Sequence, residues 1–135
     1  MAVTTTQTVK SRSSDLETYT LAASTAIYAG EMVVVDTTSG LAAAATKATG
    51  KVVVGIAEHS VSTTNGDTVV VVRPSGVSLD FYRANDTNNP IVQATVESTC
   101  YVYDSMTVTA LSTGSSSAGI VKGFDSGGVW VRLER

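Results

Sequence analysis

The sequence predicts an all-β fold, a compact antiparallel β-barrel or β-sandwich with an extended N-terminal arm, and three observations lead there. Of 135 residues, 21 are Val, 20 Thr and 16 Ser, while charged residues make up only 16%. β-Branched side chains lose rotamer freedom in a helix and pack well on a pleated surface. Short apolar runs are punctuated by Gly, Pro, Asn and Asp, and no window carries a sustained helical repeat.

Residues 1–15 (MAVTTTQTVKSRSSD) form a polar arm whose anchoring candidates are Val3, Val9, Lys10 and Arg12. Residues 16–135 read as a single β domain. Strands are expected at 17–23 (ETYTLAA), at 31–36 (EMVVVD) after the Ala29-Gly30 break, and at 41–45 beyond the turn ending in Gly40. Next come 51–58 (KVVVGIAE) and 68–73 (TVVVVR), joined through Asn65-Gly66-Asp67, a strong hairpin signal because Asn and Gly tolerate positive φ. Pro74 ends the latter strand by lacking an N–H donor. A strand over 76–82 precedes the longest loop, 83–90 (RANDTNNP). Further strands are expected at 91–96, 99–103, 106–110, 119–124 and 129–134. In the last, Val129, Val131 and Leu133 share one face and Trp130, Arg132 and Glu134 the other.

Three runs, 33–35, 52–54 and 69–72, are valine on both faces. Such strands need two coverings, a second sheet on one side and a barrel wall or neighbouring subunit on the other. The expectation is a compact barrel or sandwich with an oligomer or host-surface contact. The chain also carries an internal echo. Residues 31–44, Gly55-Ile56-Ala57 and 70–73 are answered by 99–110, Gly119-Ile120-Val121 and 129–132. Both read hairpin, Gly-Ile strand, turn, and apolar strand carrying Arg. Duplication and the chance likeness of valine-rich strands both account for this.

A net charge of −3 gives no general attraction to phosphate backbones or anionic membranes, so neither nucleic acid nor membrane is expected as a partner. No signal-peptide h-region and no apolar run of membrane-spanning length occurs in the sequence. One Cys and one His cannot assemble a zinc site or an internal disulfide. His59 lacks a G-x-S-x-G partner, Cys100 lacks a cationic neighbour in sequence, and the acidic residues form no calcium-loop ladder. Gly50-Lys51 opens a strand rather than a helix and is no phosphate loop. The expectation is no enzyme, no cofactor and no metal. Phe81, Tyr82, Tyr101, Tyr103 and Trp130 read equally as core fillers or as interface anchors. Arg83, like Arg73 and Arg132, is a candidate for rim contacts with an acidic partner.

The run Tyr28-Ala29-Gly30-Glu31-Met32-Val33-Val34-Val35-Asp36, the Gly40 turn, Val54-Gly55-Ile56-Ala57-Glu58 and the ending 118–133 (AGIVKGFDSGGVWVRL) resemble the small decoration, or cement, proteins of tailed bacteriophage capsids. The likeness spans roughly residues 17–135 and rests on structural glycine and valine patterns. It implies a β-barrel or β-sandwich, often trimeric, that sits on the outer surface of the assembled capsid. There it would bridge neighbouring copies of the major capsid protein, after synthesis in the bacterial host cytoplasm, with no catalysis. The expected contact residues are Val3, Thr4, Thr5, Thr6, Val9, Lys10, Arg12, Tyr82, Arg83 and Trp130. The segment 4–10 would add a strand to an exposed sheet edge on the capsid. Two other classes compete: another phage structural module, such as a tail-tube or fibre-attachment domain, and a carbohydrate-binding β-sandwich.

Overall fold

The structure, a computed structural model, describes residues 16–75 and 80–133. The first part of the chain supplies β1 (Glu17–Thr20), β2 (Ala26–Ile27), β3 (Met32–Asp36), β4 (Ala42–Ala44), β5 (Lys51–Ala57), β6 (Val61–Ser62) and β7 (Val69–Pro74). The second supplies β8 (Asp80–Asn85), β9 (Thr99–Val102), β10 (Thr107–Thr109), β11 (Ser117–Asp125) and β12 (Gly128–Leu133). The all-β expectation holds.

The internal echo is realised as topology. The first sheet runs β1-β7-β5-β3-β4, and the second runs β8-β12-β11-β9-β10 and closes on itself as a five-stranded barrel. Register matches as well as order. Val33 faces Gly55 and Val34 faces Val53, with Val54 bulged out; Cys100 faces Gly119 and Tyr101 faces Ser117, with Ala118 bulged out. Ile56 lies opposite Arg73 and Ile120 opposite Arg132. The second barrel closes through parallel pairing of β8 with β10, including Asn85 with Val108. The first sheet reproduces that closure as one parallel bridge, Leu21 with Ala42. The Ala22 amide then donates to the Ala42 carbonyl at 2.9 Å, as the Asp86 amide does to the Val108 carbonyl at 3.0 Å. Chance likeness between valine strands does not account for a shared bulge, shared closure and shared glycines. Among the described residues the two halves follow one five-stranded plan, closed as a barrel in the second and drawn into a ring by a single bridge in the first.

Equivalent positions fill the two interiors. Val33, Ala42, Val54, Val70 and Val72 point into the first ring, and Cys100, Val108, Ala118, Val129 and Val131 into the second, all buried. Ile27 and Ile91 are buried at matching points beyond β1 and β8. Burial of this kind stabilises by roughly 1.5–3 kcal/mol per large aliphatic side chain.

The rings meet end against side. The outer residues of β3 and β5 (Met32, Val34, Val53, Ile56) belong to one apolar cluster with Val102, Ala118 and Val129 inside the second barrel. Around them the Met32 amide donates to the Ser105 carbonyl at 2.8 Å, Thr46 bridges Asp104, and the Ser116 hydroxyl donates to the Ala48 carbonyl at 2.6 Å. The side of the first ring therefore closes one mouth of the second. Met32, Val33 and Val34 of β3 and Val53, Val54 and Ile56 of β5 are thus buried within one chain, while Val35 and Val52 at the far end of these strands stay half-buried.

Three local expectations are corrected. The strand expected at 76–82 is β8, Asp80–Asn85, and Arg83 lies within it rather than in a loop. Residues 76–79 lie outside the described residues. The segment 91–96 is no strand but contains a single 3-10 turn, Gln93–Thr95. Its first residue is held by a side chain, since Asn85 Oδ1 accepts from the Ile91 amide at 2.8 Å and Asn85 Nδ2 donates to the Ile91 carbonyl at 3.0 Å. Asn65-Gly66 closes no two-strand hairpin, because β6 pairs with β2 while β7 pairs with β1 and β5. Gly66 does take the positive φ expected of it, +87°, at the end of a 3-10 turn.

Candidate functional site

β12 alternates strictly, with Val129, Val131 and Leu133 buried and Trp130 turned outward. Trp130 stands directly opposite Tyr82 on β8, which places the two rings on one outer face. Their centroids are 4.8 Å apart with planes tilted by 56°, a favourable tilted contact. Trp130 is 44% and Tyr82 38% exposed, and they form a contiguous aromatic patch. Beside them on the same two strands, Arg132 Nε donates to Asp80 Oδ1 at 2.9 Å.

The turn between β11 and β12 holds this patch in place. Asp125 Oδ1 accepts from the Gly127 amide at 2.8 Å, the Gly128 amide at 3.1 Å and the Tyr82 hydroxyl at 2.5 Å. The two glycines make room for the ring. A Cβ on Gly127 would lie 2.7 Å from Tyr82 Oη, and one on Gly128 2.9 Å from the ring carbons. The hydrogen bond from Tyr82, then the Gly127 amide, hold the Asp125 carboxyl below its ordinary pKa. The bond to Asp125, with burial and its charge, pushes the Tyr82 phenol up. The proton therefore stays on the phenol. In the first ring the matching positions are Thr18 and Val71, so the aromatic patch is an addition to the shared framework.

Arg83 does not join that patch, although Tyr82 precedes it. It points inward opposite Val129 and is only 8% exposed. Its Nη1 donates to the Gly30 carbonyl at 2.7 Å and its Nε to the Tyr82 carbonyl at 2.8 Å, while burial lowers its pKa. The expected rim contact is corrected: Arg83 is a strut between the two rings. The arm residues Val3, Thr4, Thr5, Thr6, Val9, Lys10 and Arg12 lie outside the described residues.

The remaining candidates serve the scaffold. Cys100 is fully buried at the position Val33 takes in the first ring, and burial pushes its thiol up to about 12, which leaves no reactive thiolate at neutral pH. His59 is exposed just beyond β5. Asp86 is a buried carboxylate whose burial works to raise its pKa. The Asn88 amide, the Thr109 hydroxyl and Asn89 outweigh that effect and bring it below the ordinary value. Among the described residues no three His, Cys, Asp or Glu side chains gather around a common point.

A second surface belongs to the first ring. Tyr19, Val35, Asp36, Thr37, Gly40, Val52 and Val54 line a groove of about 350 Å³ at the end where β3 turns into β4. Sequence reasoning marked its valines as members of the two-faced runs 33–35 and 52–54, but not that they meet Tyr19 at one open end, which depends on the pairing of distant strands. No protein-family model matches the chain, and no curated protein and no solved structure matches it.

Proposed function

We infer that the chain is a capsid decoration protein of a tailed bacteriophage, binding the outer surface of the assembled head and cementing neighbouring copies of the major capsid protein. The observation that carries this reading is the outward Tyr82–Trp130 pair, locked by Asp125 and seated on two glycines. Aromatic anchors with an Arg beside them are the groups that dominate protein–protein contacts, and rings fixed in advance lose little entropy on binding. The first ring has the same strands without the rings, so the framework does not need them. The choice of partner and location is supported by the resemblance of residues 17–135 to decoration proteins.

The same proposal assigns the arm to strand addition on the capsid and the free protein to a closed trimer, with no role for nucleic acid or membrane. The test is co-sedimentation of the purified chain with empty heads built from the major capsid protein of the encoding phage. Saturable binding at a fixed copy number and a raised disruption temperature of the heads are expected. Trp130→Ala should weaken binding, and deletion of residues 2–15 should weaken it without unfolding the domain. Absence of binding by the intact chain overturns the reading. Native mass of the chain alone tests the trimer.

A further inference from the structure

The two rings share one framework but differ at one end. The mouth of the second, where Arg83, Ser105 and Ser116 stand, is covered by the outer face of β3 and β5. The same mouth of the first ring is the open groove of about 350 Å³. Register makes the positions comparable: Tyr19 corresponds to Arg83, Val35 to Val102, Val52 to Ser116 and Val54 to Ala118.

We propose that this open mouth is a docking site for an aliphatic sheet face of a partner protein, of the kind Met32, Val34, Val53 and Ile56 present to the second barrel. It rests on the capsid reading, with the major capsid protein as the partner. The fold displays in its own second half what such a mouth accepts, an apolar sheet face laid across the barrel end. The first mouth is more apolar than its counterpart. Tyr19 and Val52 replace the two side chains that reach the Gly30 and Ala48 carbonyls in the second. Its one carboxylate, Asp36, is matched by Lys51 Nζ at 2.7 Å, so no net charge opposes an uncharged face. The mouth also adjoins the interface already formed within the chain, since the Lys51 amide donates to Ser116 Oγ at 3.3 Å.

A second copy of this chain does not supply that face by repeating the internal contact. The residues matching Met32, Val34, Val53 and Ile56 are Thr99, Tyr101, Ser117 and Ile120, and each is exposed or half-buried. The face that is aliphatic and buried in the first ring keeps only Ile120 of its aliphatic residues in the second and carries three hydroxyls there, so it is a poor match for the mouth. With the Tyr82–Trp130 patch on the second ring, this mouth gives each ring a surface of its own for the partner, as bridging two capsid subunits demands.

The experiment compares head binding by the intact chain, Val52→Gln, Val52→Met and Thr37→Arg. Thr37 is exposed at the rim, so its substitution leaves the interior of the ring untouched. Val52→Gln and Thr37→Arg should each weaken binding about tenfold or more while melting remains cooperative, and Val52→Met should bind as the intact chain does. If Val52→Gln fails to fold, Thr37→Arg decides. Intact binding with unchanged binding by the folded mouth variants overturns the mouth alone. No binding by the intact chain overturns both this inference and the capsid reading. Self-association of the free chain that Thr37→Arg abolishes would give the mouth to a second copy and overturn the partner assignment.

Discussion

Gly55 and Gly119 make the same close approach in the two rings. A Cβ on Gly55 would lie 2.1 Å from the Arg73 carbonyl oxygen, and one on Gly119 2.2 Å from the Arg132 carbonyl oxygen. Both obstacles are backbone, so neither can swing aside. Gly55 also has φ +156°, a conformation that side-chain-bearing residues rarely adopt. Ala at either site should therefore destabilise by about 2–4 kcal/mol, with Gly55→Ala the worse by roughly the 1–3 kcal/mol typical of backbone strain. Urea unfolding midpoints check this, and equal, small losses at both sites would contradict the shared-bulge account.

The repeat was legible in the sequence because its markers are backbone requirements. Gly-Ile followed by an Arg-bearing apolar strand fixes the bulge and the register together, as Ile56 opposite Arg73 and Ile120 opposite Arg132 show. β8 was misplaced for the opposite reason. Arg83 and Asn85 are polar residues with inward roles, one a strut to Gly30 and the other a clamp on Ile91, whereas alternation rules send polar side chains outward. Tyr82 and Trp130 could be named as anchors, but their contact depends on the pairing of β8 with β12, which no local pattern encodes. The covering of Val34 and Val53 by the second barrel is likewise a long-range fact. Sequence shows that a valine face needs a cover, not which surface provides it.

Arg83 gives the second prediction. Replacing it with Met keeps the apolar stem but leaves the Gly30 carbonyl without its donor at the junction between rings. A buried polar group stripped of its partner costs about 1–3 kcal/mol, so Arg83→Met should lower stability by that order. Lys cannot reproduce the planar fork that reaches both Gly30 and the Tyr82 carbonyl, so Arg83→Lys should rescue only in part. Thermal unfolding of both variants checks it. Full stability in Arg83→Met would remove the strut role.

The glycine pair under Tyr82 gives the third. A Cβ on Gly127 meets the far end of the phenol, which can move, whereas one on Gly128 meets the Arg83 carbonyl oxygen at 2.6 Å. Gly127→Ala should cost only about 1 kcal/mol yet displace the ring, and Gly128→Ala about 2–3 kcal/mol. The displaced ring loses Asp125, so its phenol should titrate lower than in the intact chain, where that hydrogen bond raises it. Tyrosinate absorbance and the near-ultraviolet dichroism of Trp130 report the change. An unaltered phenol titration in Gly127→Ala would show that the glycine is not what seats the ring.

Acid behaviour gives the last. The Lys51 ammonium beside Asp36, followed by the Ser39 and Thr38 amides, holds the Asp36 carboxyl at about 2, against 3.8 without them. A carboxyl whose pKa is lower folded than unfolded binds fewer protons in the native state. Its contribution to stability is therefore complete above the unfolded value and fades as pH falls through the folded one. The window is about pH 4 down to about 2. Asp36→Asn removes the titration while keeping a side-chain acceptor for the turn amides, so its stability should fall less steeply than the intact chain's across that window. The two should run parallel above it. Lys51→Met should also flatten the slope, because the first of the causes is gone while the amides remain. Urea unfolding at a series of acid pH values measures both, and an unchanged slope in Asp36→Asn would assign the acid sensitivity to other carboxylates.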